Sequence, residues 1–222
     1  MTFEMRLYGY WRSTATWRVR IALGHKCLPY EYVPVHLTRD GGEQHTAAFR
    51  ALNPMRHVPV LEFAEAGGVH HLAESMAIIE YLEERHPRPA LLPADPLLRA
   101  RARQLALLVV SGIQPLQNTK VQRWVTEQLH ADGEAWARHW VSRGLEALEE
   151  LARGTAGTFL IGDQVTVADV CLVPQLHFAR RLAVPLDGLP TLCRAEAACV
   201  ELPAFVGAHA HNQLDAELSD PA

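Results

Sequence analysis

The 222 residues read as two domains of different class: an α+β domain on a mixed four-stranded sheet over 1–85, and an all-α domain over 97–222. Three observations lead there. In the first 85 residues the hydrophobic period switches repeatedly between that of a strand and that of a helix. The stretch 86–96 (HPRPALLPADP) then carries four prolines in eleven residues, which neither a helix nor a central strand tolerates. Beyond this linker the strand signal disappears and only helical periodicity remains.

Residues 5–10 form a short run rich in Leu and Tyr that fits a strand, and 17–23 place apolar residues at helical spacing, closed by Gly24. A second strand covers 30–36, where Tyr and Val alternate with Glu and Pro, followed by a polar loop over 38–42. Weak helical character returns at 44–52. VPVLEF (58–63) and VHHL (69–72), separated by a Gly-Gly turn region, predict a β-hairpin, and 75–85 predict a helix. Strands joined through a helix run parallel by a right-handed crossover, whereas a hairpin is antiparallel, so the sheet is mixed. After the linker, 97–114, 121–129, 134–151, 167–181 and 190–200 read as helices. Pro115 is expected to bend or break the first of these, and the tail 214–222, without apolar periodicity, is expected to fray.

Composition narrows the function classes. With 21 Lys plus Arg against 25 Asp plus Glu, the formal net charge is -4, so the basic excess that tracks a nucleic-acid backbone is missing. The longest purely apolar run, 105–110, is too short to span a bilayer, and the first ten residues lack the order of a signal peptide. A cytoplasmic chain with no nucleic-acid or membrane partner is expected. Cys27, Cys171, Cys193 and Cys199 form no C-x-x-C pair and read as small buried hydrophobes in a reducing compartment. The adjacent His70 and His71 point to opposite faces of a strand and do not share a metal, and no metal site is expected.

Chemistry concentrates in three places. Between the first strand and first helix lies Arg12-Ser13-Thr14-Ala15-Thr16, with three hydroxyls in four residues. One hydroxyl suffices to cap a helix; the others, with the positive end of the helix dipole, suit an anion such as a thiolate. Capping alone and anion binding both fit this stretch. At the mouth of the hairpin, Val58-Pro59 is either an ordinary edge proline or, in the cis form, a device that leaves Val58 free to pair with an extended peptide-like ligand. Ahead of the next helix, Ser75 reads as an N-cap that is also able to hold a carboxylate, while Glu74 suits an ammonium group. Thr166 and Asp169 are spaced as a capping box, a structural motif.

RSTATWRVRIAL, ALNPMRHVPVLE, Glu74-Ser75 followed by AIIEYLEE, LLPADP, SGIQPLQN and GDQVTVADVCLVPQ together resemble the zeta class of glutathione transferases, which includes maleylacetoacetate and maleylpyruvate isomerases. The likeness spans about 5–205. It implies an N-terminal thioredoxin-like, glutathione-binding domain, a helical substrate-binding domain, and a homodimer in the glutathione transferase fold. It assigns Ser13, with Thr14, to the glutathione sulfur, and places Ala15 where the family has a cysteine. It gives Val58 the backbone pairing with the cysteinyl residue, makes Pro59 the cis-proline, and sets Glu74 and Ser75 on the γ-glutamyl end. Gln114 and Asn118 reach glutathione from the helical domain. Arg12 and Arg181 are the candidate carboxylate ligands, Arg180 being the weaker of the neighbouring pair. The implied activity is glutathione-dependent cis–trans isomerisation of maleylacetoacetate, a maleyl-type dicarboxylate of aromatic amino-acid catabolism. Maleylpyruvate isomerisation, a zeta-like transferase acting on small α-halo acids, and a non-catalytic binding module are the alternatives.

Overall fold

The structure is a computed structural model that describes residues 4–217. The chain divides into two compact units, residues 4–90 together with 203–217, and residues 91–202.

In the first unit, β1 (Met5–Gly9) lies parallel to β2 (Glu31–Pro34) and antiparallel to β3 (Val60–Glu65), which pairs with β4 (Gly68–Ala73); the sheet order is β2-β1-β3-β4. The hairpin closes at Glu65↔Gly68, with Gly67 and Gly68 at φ 110° and 128°, a region in which a side chain is strained. Leu7, Leu61 and Phe63 point into the core with Val19, Ile21, Leu23, Ile78, Ile79 and Leu82 from α1 (Thr14–His25) and α3 (Ser75–Arg85). A short α2 (Ala47–Leu52) follows β2, its N-cap Thr46 accepting from Phe49 N. On α1, even Arg18 and Arg20 are buried, because the helix packs on α3 and also on α10 (Pro203–Ala208).

The helical register of α1 starts at Thr14, three residues before the first strongly apolar position, because Ser13 caps it. It ends beyond Gly24. Leu28 N donates to Leu23 O (2.9 Å) and Cys27 N to Gly24 O (3.1 Å), a Schellman ending with Cys27 in the left-handed position at φ 54°. Cys27 is exposed and Cys193 half-buried, contrary to the expectation that all four cysteines are buried; Cys171 and Cys199 are.

The second unit contains α4 (Pro96–Leu107), a π-helical turn (Leu108–Ile113), α5 (Gln114–Gln117), α6 (Thr119–Gln128), α7 (Gly133–Ala152), α8 (Val167–Arg181) and α9 (Pro190–Val200). Pro115 does not interrupt the helical backbone, which runs from α4 through the π-helical turn into α5; the hydrogen-bond spacing widens to π just ahead of it, and Pro115 sits in the first turn of α5. The central α8 is buried on nearly every side. Its start is the expected capping box. Asp169 accepts from Thr166 N (2.8 Å), Thr166 Oγ1 (2.9 Å) and Leu160 N (2.8 Å), and burial raises its carboxyl to about 6 against those bonds.

The last segment departs from the sequence reading in two ways. Residues 203–217 group with the first unit, not with the helical one, because α10 supplies the surface on which α1 buries its second side. Residues 214–217 do not fray: Asp215 Oδ2 accepts from Trp11 N (3.0 Å) and Tyr32 OH (3.2 Å), and Glu217 pairs with His36 Nε2 (2.8 Å). Residues 218–222 of that expected tail lie outside the described residues.

Candidate active site

The ladder itself gathers three of the sequence motifs. Tyr8 pairs with Val60, and Val60 with Ala73, so the end of β1, the start of β3 and the end of β4 lie side by side. From that one end of the sheet emerge Ser13, Val58-Pro59 and Glu74-Ser75.

Ser13 is the N-cap of α1, its Oγ accepting from Thr16 N at 3.2 Å. This uses one lone pair and leaves the hydroxyl proton available, so the capping residue is also able to donate to an anion. Thr14 is buried at 8% exposure in the first helical position, Ala15 is half-buried beside it, and Thr16 is fully buried. Gly9 is required here: a Cβ on it would stand 2.3 Å from Thr16 Cγ2.

The peptide bond between Val58 and Pro59 is cis. Since β3 begins at Val60, Val58 stands outside the ladder with a backbone edge suited to an extended ligand. The loop before it is organised by Asn53, whose Nδ2 donates to His57 O (2.8 Å) and whose Oδ1 accepts from Met55 N (3.0 Å).

Ser75 is not the N-cap of α3. Glu74 holds that position at φ 69°, makes no side-chain capping bond, and leaves its carboxylate uncommitted to the helix. Ser75 is the first helical residue, 4% exposed, and its Oγ accepts from the buried Arg18 Nη1 at 3.4 Å. A left-handed backbone at a glutamate costs about 1–2 kcal/mol, which the turn between β4 and α3 must offset. Arg18 and Asn53 were missed from sequence. The available signal was a charged residue inside an otherwise apolar helix in one case, and an Asx-type turn ahead of Pro54 in the other.

The remaining candidates are distributed between the units. Arg12, half-buried in the first unit, places its guanidinium 5.5 Å from the Trp11 ring centre. In the second unit, Gln114 opens α5, and Asn118 caps α6 through Lys120 N (3.1 Å), leaving its amide nitrogen for another partner. Arg181 is exposed at the end of α8 with its guanidinium 6.0 Å from the Phe178 ring centre. Its neighbour Arg180 is held in a two-bond ion pair by Glu196. His71 bonds Glu62 (3.0 Å) while His70 stacks on Phe63, so the two rings take different neighbours.

A hydroxyl donor at a helix N-terminus, a cis-proline strand mouth and an acid–serine helix start fit an extended peptide thiol with an amino-acid end. On this sheet, and in a chain whose second unit is helical, those features define the glutathione transferase class. Models of the N-terminal and C-terminal domains of glutathione S-transferase match residues 7–90 and 126–197. Maleylacetoacetate isomerase of Pseudomonas aeruginosa is 47% identical over 213 residues, 95% of this chain and 98% of that protein. The crystal structure of maleylacetoacetate isomerase from Anaeromyxobacter dehalogenans with bound glutathione is 51% identical, with a TM-score of 0.89 over 96% of this chain and 98% of that one. A bacterial zeta-class maleylpyruvate isomerase in its holo form is 41% identical, TM-score 0.88, over 96% and 100%. The chain belongs to the zeta class of the glutathione S-transferases, the family of the maleylacetoacetate isomerases.

Proposed function

We propose that the protein is a glutathione-dependent cis–trans isomerase that converts maleylacetoacetate to fumarylacetoacetate in aromatic amino-acid catabolism. The observation that carries the proposal is the Ser13 hydroxyl, committed to Thr16 N only as an acceptor and so left to donate at the positive end of α1. The likeness to named maleylacetoacetate isomerases over nearly the whole chain supports it. Bound glutathione supplies a thiolate that adds reversibly to the conjugated double bond, so that the single bond formed on addition rotates before elimination. Ser13 donates to the sulfur and, with the dipole of α1, holds the thiol deprotonated at a pH where only a few per cent of free thiol is ionised. Thr14 and Ala15 form the wall beside it. Val58, presented by the cis Pro59, pairs its backbone with the cysteinyl residue; Glu74 takes the γ-glutamyl ammonium and Ser75 its carboxylate. Gln114 and Asn118 contribute amide contacts from the helical, substrate-binding domain, and Arg12 and Arg181 hold the two substrate carboxylates and stabilise the developing enolate.

The 41% identity to a maleylpyruvate isomerase favours one second reading, the same chemistry on the shorter 2-oxo acid. Kinetics on both acids separate the two. We assign the chain to the cytoplasm, a reading supported by its free cysteines, among them the exposed Cys27; no helix among the described residues is long and apolar enough to cross a membrane. A homodimer fits the apolar residues that α4 turns outward, Leu97, Leu98 and Leu107.

Ser13→Ala is the decisive variant. It is expected to lower glutathione-dependent isomerisation about a hundredfold, in line with loss of one oriented donor. A purified, folded variant that turns over maleylacetoacetate at the wild-type rate rules out the thiolate role.

A further inference from the structure

Two charged side chains far apart in sequence hold the loop that delivers Ser13. From one side Arg20, 1% exposed, donates Nη2 to Trp11 O (2.9 Å) and Nη1 to Tyr10 O (3.5 Å). From the carboxyl-terminal segment, Asp215 Oδ2 accepts the Trp11 N–H at 3.0 Å. The N–H and C=O of Trp11 are thus both bound to ionised groups, and charge-assisted bonds of this kind are the stronger ones. Ser13 N donates to Tyr10 O at 3.0 Å, which ties the serine directly to the clamped residues.

The segment bringing Asp215 is itself fixed at several points. Arg20 Nε reaches Ala208 O (3.1 Å), the His209 ring packs against Trp17 (4.9 Å), the His211 ring against Trp11 (5.6 Å), and Tyr32 OH donates to Asp215 Oδ2 (3.2 Å). Asp215 Oδ1 is buried without a hydrogen-bond partner among the described residues. An acceptor left unpaired in this way costs about 1–3 kcal/mol, a cost that a purely packing role is better served by avoiding.

We propose that Asp215, acting with Arg20 through the Trp11 backbone, is a positioning residue that aims the Ser13 hydroxyl at the glutathione sulfur. The inference rests on the function proposed above for Ser13. A carboxylate from the segment after α10 thereby becomes part of the thiol-activating apparatus without touching glutathione.

The test compares Asp215→Ala, Asp215→Glu, Tyr32→Phe, Ser13→Ala and the Ser13→Ala/Asp215→Ala double variant in the full chain. It reads kcat and KM for isomerisation, the thermal midpoint, and the pH titration of the ultraviolet thiolate band of enzyme-bound glutathione. Asp215→Ala is expected to lower kcat about tenfold with KM for the dicarboxylate changed less than about twofold, since a small misplacement of a catalytic group costs rate before binding. The bound thiol should titrate about one unit higher, matching a tenfold weaker stabilisation of the thiolate. Asp215→Glu should recover part of both losses, and Tyr32→Phe should shift both in the same direction by less. In the Ser13→Ala background, Asp215→Ala should move the thiol titration no further. An unmoved titration in folded Asp215→Ala, whatever its thermal midpoint, overturns the proposal, as does a further rise in the double variant. Should Asp215→Ala fail to fold, an unmoved titration in Tyr32→Phe overturns it. Wild-type behaviour of Ser13→Ala removes the underlying function as well, whereas an impaired Ser13→Ala beside an unmoved Asp215→Ala removes this inference alone.

Discussion

Lys26 is 4% exposed, and its ammonium donates to Glu83 Oε2 (2.6 Å), His86 O (2.7 Å) and Pro89 O (3.0 Å). It neutralises a buried acid and takes up carbonyls beyond the end of α3. Lys26→Met leaves Glu83, 6% exposed, without its counter-charge, so urea unfolding should show a loss of about 3–5 kcal/mol, with much of it regained in Lys26→Met/Glu83→Leu. No sequence signal pointed to this pair, because lysine and glutamate normally lie in water and their partners here are about sixty residues apart. Arg20 and Asp215 were missed too, because a buried charged side chain that bonds the backbone of Tyr10 and Trp11 leaves no local motif. Ser13, Val58, Pro59 and Glu74 were legible since each sits where one element hands over to the next, and the residue types there are tied to special backbone positions. For Ser75 the motif was visible but the cap was assigned one residue late, as serine is the commoner cap and the left-handed backbone of Glu74 leaves no trace in composition.

The strand–helix order followed from periodicity, and α3, α8 and α9 begin and end as the sequence predicts. The end of α1 was placed at Gly24, whereas the helix runs on to His25 and closes through a residue that is not glycine. At α1 the left-handed position is Cys27, and at α8 it is Ala183 at φ 52°, with Val184 N donating to Ala179 O (3.0 Å) and Ala183 N to Arg180 O (2.9 Å). Cys27→Gly removes the left-handed cost at the expense of some unfolded-state entropy, so a gain of about 0.5–1 kcal/mol is expected by thermal or chemical melting. The start of α9 is capped from another helix: Glu149, on α7, accepts from Thr191 N (3.2 Å) and Leu192 N (3.0 Å) and pairs with Arg153. A cap supplied from 42 residues upstream leaves no local motif to find. Burial pushes the Glu149 carboxyl up, but the bonds from Thr191, Leu192 and Arg153 outweigh it and hold the group below its ordinary value. A lowered folded value means that the stabilisation is complete above the unfolded carboxyl value and is lost as pH falls through the folded one. Glu149→Gln should therefore be less stable than wild type by about 1–2 kcal/mol at neutral pH, and the gap should close below about pH 4, as read from denaturant midpoints across that range.

At the scale of the whole molecule, the proline-rich stretch marked where strands stop, and the chain passes from one unit to the next between Ala90 and Leu91. The return of 203–217 to the first unit was not legible. Its helix α10 is only six residues long, and the apolar surface it covers belongs to α1, whose two-sided burial shows only as an absence of a polar face. A chain ending at residue 202 is accordingly expected to keep amide protection in 91–202 and lose it across 4–90, which hydrogen exchange with fragment mass analysis will resolve. The same feature sets an order of events during synthesis. The first unit is the earlier to leave the ribosome, yet its closing segment is made only after the intervening 91–202. At about 5–20 residues per second that interval is on the order of ten seconds. Throughout it the nascent thioredoxin-like half carries an uncovered α1 face, so the helical half should be the first to reach its native state.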